Sequence, residues 1–378
     1  MQVTELRTYI TWGEPRNWVF VKVLTDGGLY GWGEATLEGR EETVLACVRD
    51  LGQGLIGKDP LRVEHHWQVL FRHGFWRGGV VLNTALAALD QSLWDLRGKA
   101  WGVPVYELLG GPTRERIRLY THVGIYRPEE MVADAERDIR DGFTAVKTGA
   151  WAEDSHLPEA EQVERFAERV RRLREAVGPQ VDIMIDNHGK GRMAEAVRLM
   201  EALAPYRLFW LEEPTQPDDL EALRGVRRAN PPMDLAAGER LYDKWGFRLL
   251  LEERLVDVIQ PDLCHAGGLT ECKKIAALAE TYYVLVAPHC PQGPVATAAS
   301  AHLALAIPNF HILEFVRSAP YRERIQREPW PVKDGYLLVP DRPGLGIDLD
   351  EEVVAANPPR LVGVPRGAWH ADGSVADV

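Results

Sequence analysis

Seven ionisable residues could carry chemistry in this sequence: Lys147, Asp186, Glu212, Glu239, Asp262, His289 and Glu314. Each lies at or just after the end of a short apolar run, and from Asp186 onward they follow at intervals of 26, 27, 23, 27 and 25 residues. Such an interval holds one strand and one helix, so groups spaced this way fall at the same end of successive parallel strands. Taken singly, an Asp or Glu at a strand end is more often a helix cap or a solvated charge, and a lone His more often a satisfied structural residue. Seven at one end converge on one cavity, which reverses that balance. Three carboxylates on adjacent strands repel one another at low dielectric unless a cation lies among them. With carboxylate oxygens as the evident donors, the expected cation is Mg2+, with Mn2+ as its substitute.

Two local patterns refine the set. LEEP at 211–214 offers Glu212 and Glu213, which point to opposite faces of a strand, and spacing alone does not choose between them. In DNHG at 186–189, residues two apart share a face, so His188 is expected to look into the same mouth as Asp186.

The elements that must position these groups are legible as alternation. Apolar runs at 117–122, 143–147, 181–186, 207–212, 234–237, 256–262, 283–287 and 311–315 alternate with helix-like stretches at 128–140, 158–177, 192–204, 217–229, 268–280 and 293–306. Eight such runs predict an α/β barrel of parallel strands, with the last helix missing or replaced. Residues 1–116 predict a separate α+β unit. It has a hairpin within 19–35 turning at the DGG of 26–28, then helical spacing at 40–56, 61–72 and 83–101. After residue 317 the chain becomes Pro-rich, and 321–378 is expected to leave the barrel (117–320) and pack back on the N-terminal unit.

Composition bounds the function. The 378 residues are 46% apolar and 26% charged, as in an ordinary globular protein. A net charge of −12 without a basic block argues against nucleic acid, and an acidic chain that binds an anion needs a local cation. No apolar run reaches the length of a membrane span, and MQVTELRTYITWGEP does not read as a signal peptide, so the expected location is cytoplasmic. Cys47, Cys264, Cys272 and Cys290 form no CxxC pair and are expected to be free thiols, with Cys264 and Cys290 buried and inert. His65 and His66 are expected to be solvated. Glycines in GWGEA and LLGGP read as turn chemistry rather than a phosphate loop. Trp18, Trp76 and Arg77 are expected in loops of the N-terminal unit that could overhang the mouth and touch substrate, with core packing as the plain alternative.

In combination, GWGEATLEGR (31–40), GFWRGG (74–79), ALDQSLWDLRGKAWGVPVYELLGG (88–111), DNHG, LEEP, AAGER (236–240), QPDLCHAGGLTE (260–271) and APHCPQGP (287–294) resemble the enolase superfamily. The likeness is to its mandelate racemase subgroup and, within that, to galactonate-type sugar-acid dehydratases. It implies a modified TIM barrel, (β/α)7β, beneath an α+β capping domain formed by the N-terminal segment and the C-terminal tail. It implies Asp186, Glu212 and Glu239 as metal ligands, choosing Glu212 over Glu213, and Asp262 with His289 as an oriented general base. It also implies His188 as the dehydratase histidine, Glu314 as a hydrogen-bonding partner of substrate, and Lys147 as the first lysine of a Lys-x-Lys motif. The second lysine, the base of racemases and muconate cycloisomerases, is replaced by Gly149.

The implied activity is Mg2+-dependent dehydration of a sugar acid, a small carboxylate with D-galactonate as leading candidate, in a homo-oligomer. The alternative is a racemase or epimerase using His289 and His188 as paired bases. A non-catalytic binding module would lack one of the seven groups. A metal-dependent hydrolase would want HxH at the first barrel strand, where the YTH of 120–122 offers only His122.

Overall fold

Alternating Val19, Val21 and Val23 make a strand with its side chains buried on both faces, and the chain builds its first layer around it. In the computed structural model, which describes residues 1–125, 127–149, 157–317, 320–361, 369 and 372–375, β2 (Asn17–Thr25) pairs antiparallel with β1 (Val3–Trp12) and β3 (Tyr30–Glu34). The predicted hairpin is β2–β3, turning where Gly28 has φ 78°. β1 comes in addition to the predicted elements. Helices α1 (Glu41–Gly52), α2 (Val63–Arg72), α3 (Val80–Trp101) and α4 (Val105–Leu108) complete the unit. Gly31 and Gly33 are not turn residues as expected but lie inside β3. A Cβ there would fall 2.0 Å from the Ser92 carbonyl oxygen and 1.9 Å from that of Ala88, so these glycines let α3 lie directly on the sheet.

Among the described residues, eight parallel strands follow: β4 (Ile117–His122), β5 (Ala145–Gly149), β6 (Asp182–Asp186), β7 (Trp210–Glu212), β8 (Asp234–Ala237), β9 (Val258–Ile259), β10 (Leu285–Val286) and β11 (Leu313–Glu314). Between them run α5 (Met131–Arg140), α6 (Glu159–Val177), α7 (Met193–Leu203), α8 (Leu220–Arg228), α9 (Asp243–Glu252), α10 (Gly268–Glu280) and α11 (Pro294–Ala306). Helix α9 is the one not predicted. The last strand pairs with the first, and the β10–β11 seam is a single bridge between Val286 and Phe310 rather than a ladder. The architecture is a (β/α)7β barrel under an α+β cap.

The C-terminal segment does not go straight to the cap. After α12 (Tyr321–Arg324), the hairpin of β12 (Val332–Lys333) and β13 (Tyr336–Leu337) adds antiparallel to β4. Only then does the chain reach the first sheet, where Asp348 accepts from Trp32 Nε1 at 2.7 Å and Tyr30 Oη at 2.8 Å. Helix α13 (Glu351–Ala356) places Glu351 against Lys22 at 2.5 Å.

Buried carboxylates fasten cap to barrel. Glu34 accepts from the Gly293 and Ala296 amides at 2.6 and 2.9 Å, and Asp90 from the Thr270 amide and hydroxyl at 3.0 and 2.5 Å. These are the N-terminal turns of α11 and α10, where free N–H groups favour an anion. No helix among the described residues is long and apolar enough to cross a membrane.

Candidate active site

One residue in or next to each barrel strand joins a buried apolar cluster: Tyr120, Ala145, Met184, Trp210, Ala236, Val258, Ala287 and Ile312. Side chains two residues apart on a strand share a face. Two positions further along, most of these strands carry a polar group: His122, Lys147, Asp186, Glu212, Gln260, His289 and Glu314. The candidate site is thus one pleat above the plug, at the C-terminal mouth where barrel function concentrates.

Asp186, Glu212 and Glu239 each offer a carboxylate oxygen, and these lie within 4.8 Å of one another. Lys147, 2% exposed, stands beside them with Nζ 2.8 Å from Glu212, 2.8 Å from Glu314 and 3.3 Å from Asp186. Burial works against its charge, yet Glu212 and Glu314 hold its ammonium well above the usual range. Burial likewise pushes Asp186 up, but Lys147 and His188 outweigh it and leave the carboxyl low. At Glu239 burial prevails and the carboxyl is held well above its ordinary value, with Glu213, Asp186 and Glu212 adding to the effect. Its Oε2 is buried with no hydrogen-bond partner among the described residues. An orphaned oxygen facing two further carboxylates fits a divalent cation bound by oxygen donors. Glu213 turns away at φ 39° and pairs with Arg240 at 2.7 Å, so Glu212 is the member of the LEEP pair in this cluster.

Two imidazoles flank the carboxylates. His289 Nδ1 lies 2.7 Å from Asp262 Oδ2, and its Nε2 lies 3.6 Å from Glu239 and 3.9 Å from Glu314. Burial alone would lower it, but Glu239, Glu314 and the Asp262 hydrogen bond raise it to about 10. His188 reaches the mouth by a different route from the strand pleat expected for it. Strand β6 ends at Asp186, and a left-handed turn (φ 50°) brings His188 Nε2 back to 3.0 Å from Asp186 Oδ2. The Asp186 charge raises this imidazole to about 9. Gly149 pairs with Asp186 across β5–β6, and no base stands at that position.

The structure brings the eight predicted catalytic and metal-ligand residues together, and adds His122, Gln292 and Arg240, which were not predicted. His122 Nε2 meets Glu314 Oε1 at 2.5 Å. It satisfies the strand-end criterion as well as the others do, and that criterion could have found it. The substrate-contact candidates divide. Trp18 is not in a loop: it lies in β2, 1% exposed, stacked on Tyr321 with ring centroids 5.9 Å apart. Trp76 and Arg77 do lie in the loop between α2 and α3, with Trp76 84% exposed. His66 is buried rather than solvated and bonds the Asp59 carbonyl at 2.7 Å. Cys264 and Cys290 are free and buried, and burial raises both thiols.

Residues 6–110 match the mandelate racemase/muconate lactonizing enzyme N-terminal domain, and residues 130–353 match the enolase C-terminal domain-like family. The chain belongs to the enolase superfamily. Within that superfamily it is 41% identical over 388 residues to D-galactonate dehydratase of Variovorax paradoxus, and 40% identical over 385 residues to that of Ralstonia pickettii, each comparison spanning 100% of both chains. Among solved enolase-superfamily structures, it superposes with TM-score 0.91 and 34% identity, over 100% of both chains, on an enolase from Agrobacterium radiobacter bound to Na and L-malate and suggested to be a galactarate dehydratase. A superfamily member from Salmonella Typhimurium gives 0.88 at 32% identity, over 94% of this chain and 98% of that one. The chain is an enzyme of the hydro-lyase class.

Proposed function

We propose that this enolase-superfamily chain is a Mg2+-dependent dehydratase of sugar acids, with D-galactonate the leading substrate and Mn2+ able to replace Mg2+. The observation that carries the reading is the placement of two unlike imidazoles on one carboxylate cluster. The His289 side chain is 16% exposed and held by Asp262, while the His188 side chain is 52% exposed and rests on Asp186. That asymmetry suits one base and one acid better than the paired bases of an epimerase.

Asp186, Glu212 and Glu239 would hold the metal, which supplies Lewis-acid stabilisation of the charge that builds on the substrate carboxylate as C2 loses its proton. Lys147 adds a fixed positive charge beside that carboxylate. With Glu239, foremost of the charges that raise His289, neutralised by the cation it would hold, His289 Nε2 would be free to accept the C2 proton, with Nδ1 fixed by Asp262 so that the lone pair faces the mouth. His188 donates a proton to the departing 3-hydroxyl, which leaves as water, and the resulting enol becomes a 2-keto-3-deoxy acid. Glu314, fixed by Lys147, His122 and the Cys290 amide, is placed to hydrogen-bond substrate. Full-length identity to D-galactonate dehydratases supports the substrate.

The test is turnover of D-galactonate by the Mg2+-loaded enzyme in D2O, followed by NMR. A 2-keto-3-deoxy product carrying solvent deuterium at C3 is expected. An epimer without loss of water would replace this reading with the epimerase. His188→Asn should slow elimination by about 10²-fold or more while C2 exchange with solvent continues; unimpaired elimination would overturn the acid assignment. Activity that survives exhaustive chelation would remove the metal.

A further inference from the structure

Asp262 is bonded by more than the histidine it orients. Its Oδ1 accepts from the Cys264 amide at 2.6 Å, and its Oδ2 accepts from His289 Nδ1 at 2.7 Å and also from Gln292 Nε2. The Gln292 amide can face a carboxylate in only one sense, because its carbonyl oxygen would set lone pair against lone pair. Its second N–H then points to His265 Nε2, 3.3 Å away. A ring nitrogen that accepts carries no proton, so His265 is neutral with its proton on Nδ1, aimed at Thr84 Oγ1 at 3.0 Å. Burial, which keeps His265 below its ordinary range, agrees with that state. Gln292 and His265 are 3% and 9% exposed, so water does not substitute readily for these bonds. The loop between them and the base is pinned as well: Arg322 donates to the Gln292 carbonyl at 2.8 Å, and Glu34 accepts from Gly293.

We propose that Gln292 and His265 are positioning residues that fix the tautomer and aim of His289 through Asp262, and that Thr84 on α3 anchors this relay to the capping domain. The proposal rests on His289 being the base. Orientation of that base is therefore coupled to docking of the cap, because Thr84 belongs to the helix that lies on the first sheet. Loss of the Gln292 donor leaves Asp262 held by the Cys264 amide and His289 alone, which loosens the aim of the carboxylate and its hold on the His289 tautomer. Loss of the Thr84 hydroxyl leaves His265 free to exchange tautomers.

Gln292→Met keeps side-chain length and removes the donor; Thr84→Val keeps shape and removes the hydroxyl; Thr84→Ser restores it. Expected for Gln292→Met is a fall in kcat of roughly 10–100-fold with KM little changed, as for partners that orient a functional group from behind. Thr84→Val should fall in the same direction, and Thr84→Ser should recover it. A readout independent of turnover is the histidine 15N spectrum of the full-length Mg2+-loaded enzyme. His289 should report a single Nδ1–H tautomer in the parent and a mixture in Gln292→Met. Unchanged His289 signals and unchanged kcat in a folded Gln292→Met, or a Thr84→Ser as impaired as Thr84→Val, would overturn the relay. Failure of the underlying reading looks different: His289→Asn would then retain C2 proton exchange.

Discussion

At the scale of residues, function is written one pleat beyond the apolar plug: Trp210 precedes Glu212 by two, Met184 precedes Asp186 by two, and Ala145 precedes Lys147 by two. Five of the ring of seven, Lys147, Asp186, Glu212, His289 and Glu314, sit at that offset, and all seven were legible at the ends of apolar runs, since a polar side chain at an inward strand position is costly unless it is used. The same offset points to His122 after Tyr120, overlooked because its strand lacked a second histidine. Which glutamate of 212–213 faces the cavity follows from the backbone turn at Glu213, which no spacing encodes. Glu212→Gln is therefore expected to weaken Mg2+ binding by more than about 100-fold, and Glu213→Gln by roughly 10-fold or less, in a calorimetric titration. Equal losses would mean that both carboxylates hold the ion. The tryptophans divide in a similar way. Trp18→Ala should cost about 3–5 kcal/mol in urea unfolding, because it empties a buried site. Trp76→Ala should stay within about 0.5 kcal/mol, so that any rise in KM would mark a contact with substrate.

Helices and strands were legible in proportion to their length and regularity. The six predicted barrel helices were read from their apolar spacing, whereas α9 opens on Asp243-Lys244-Trp245-Gly246, whose one apolar residue is exposed, so no buried face shows in its first turn. β1 escaped notice because its exposure does not alternate cleanly along Val3–Trp12. Gly31 and Gly33 were misread because close helix–strand packing is a tertiary fact. Helix α10 shows what such packing does to a titration. Burial outweighs the Thr270 bonds and lifts Asp90 from 3.8 to about 7. Between those values the folded chain keeps a proton that the unfolded chain has released. The stabilisation from this group is therefore full below about pH 4 and is lost as the pH rises through about 7. Asp90→Asn should lose less stability than the parent between about pH 5 and pH 8, by about 1–3 kcal/mol in urea unfolding. Parallel curves would mean that Asp90 does not titrate in this window.

The whole molecule is a cap and a barrel joined by buried acids, with a mouth that concentrates negative charge around Lys147. A cation that binds only the folded mouth must stabilise the fold. Saturating Mg2+ is expected to raise the thermal midpoint by a few °C, chelator to reverse this, and Glu212→Gln to abolish it. A midpoint indifferent to Mg2+ would leave the three carboxylates without an ion. The eight strands were readable from alternation, but the path of the tail across β4 was not, because Val332–Lys333 and Tyr336–Leu337 lie outside the βα period that revealed the equally short β9, β10 and β11. The bonds that Glu34 and Asp95 make carry a consequence for how such a chain is made. Glu34 meets Gly293 across 259 residues and Asp95 meets Leu345 across 250. On a ribosome the cap emerges first and must wait, its acids bonded only to cap donors such as Thr36, Trp32 and Lys99, until nearly all of the barrel has followed. Contacts this distant in sequence close slowly, so the loop that carries His289 takes its final form late in synthesis. On the proposed mechanism, a nascent chain holds the three carboxylates offered to the metal before its base is aimed, and becomes an enzyme only near completion.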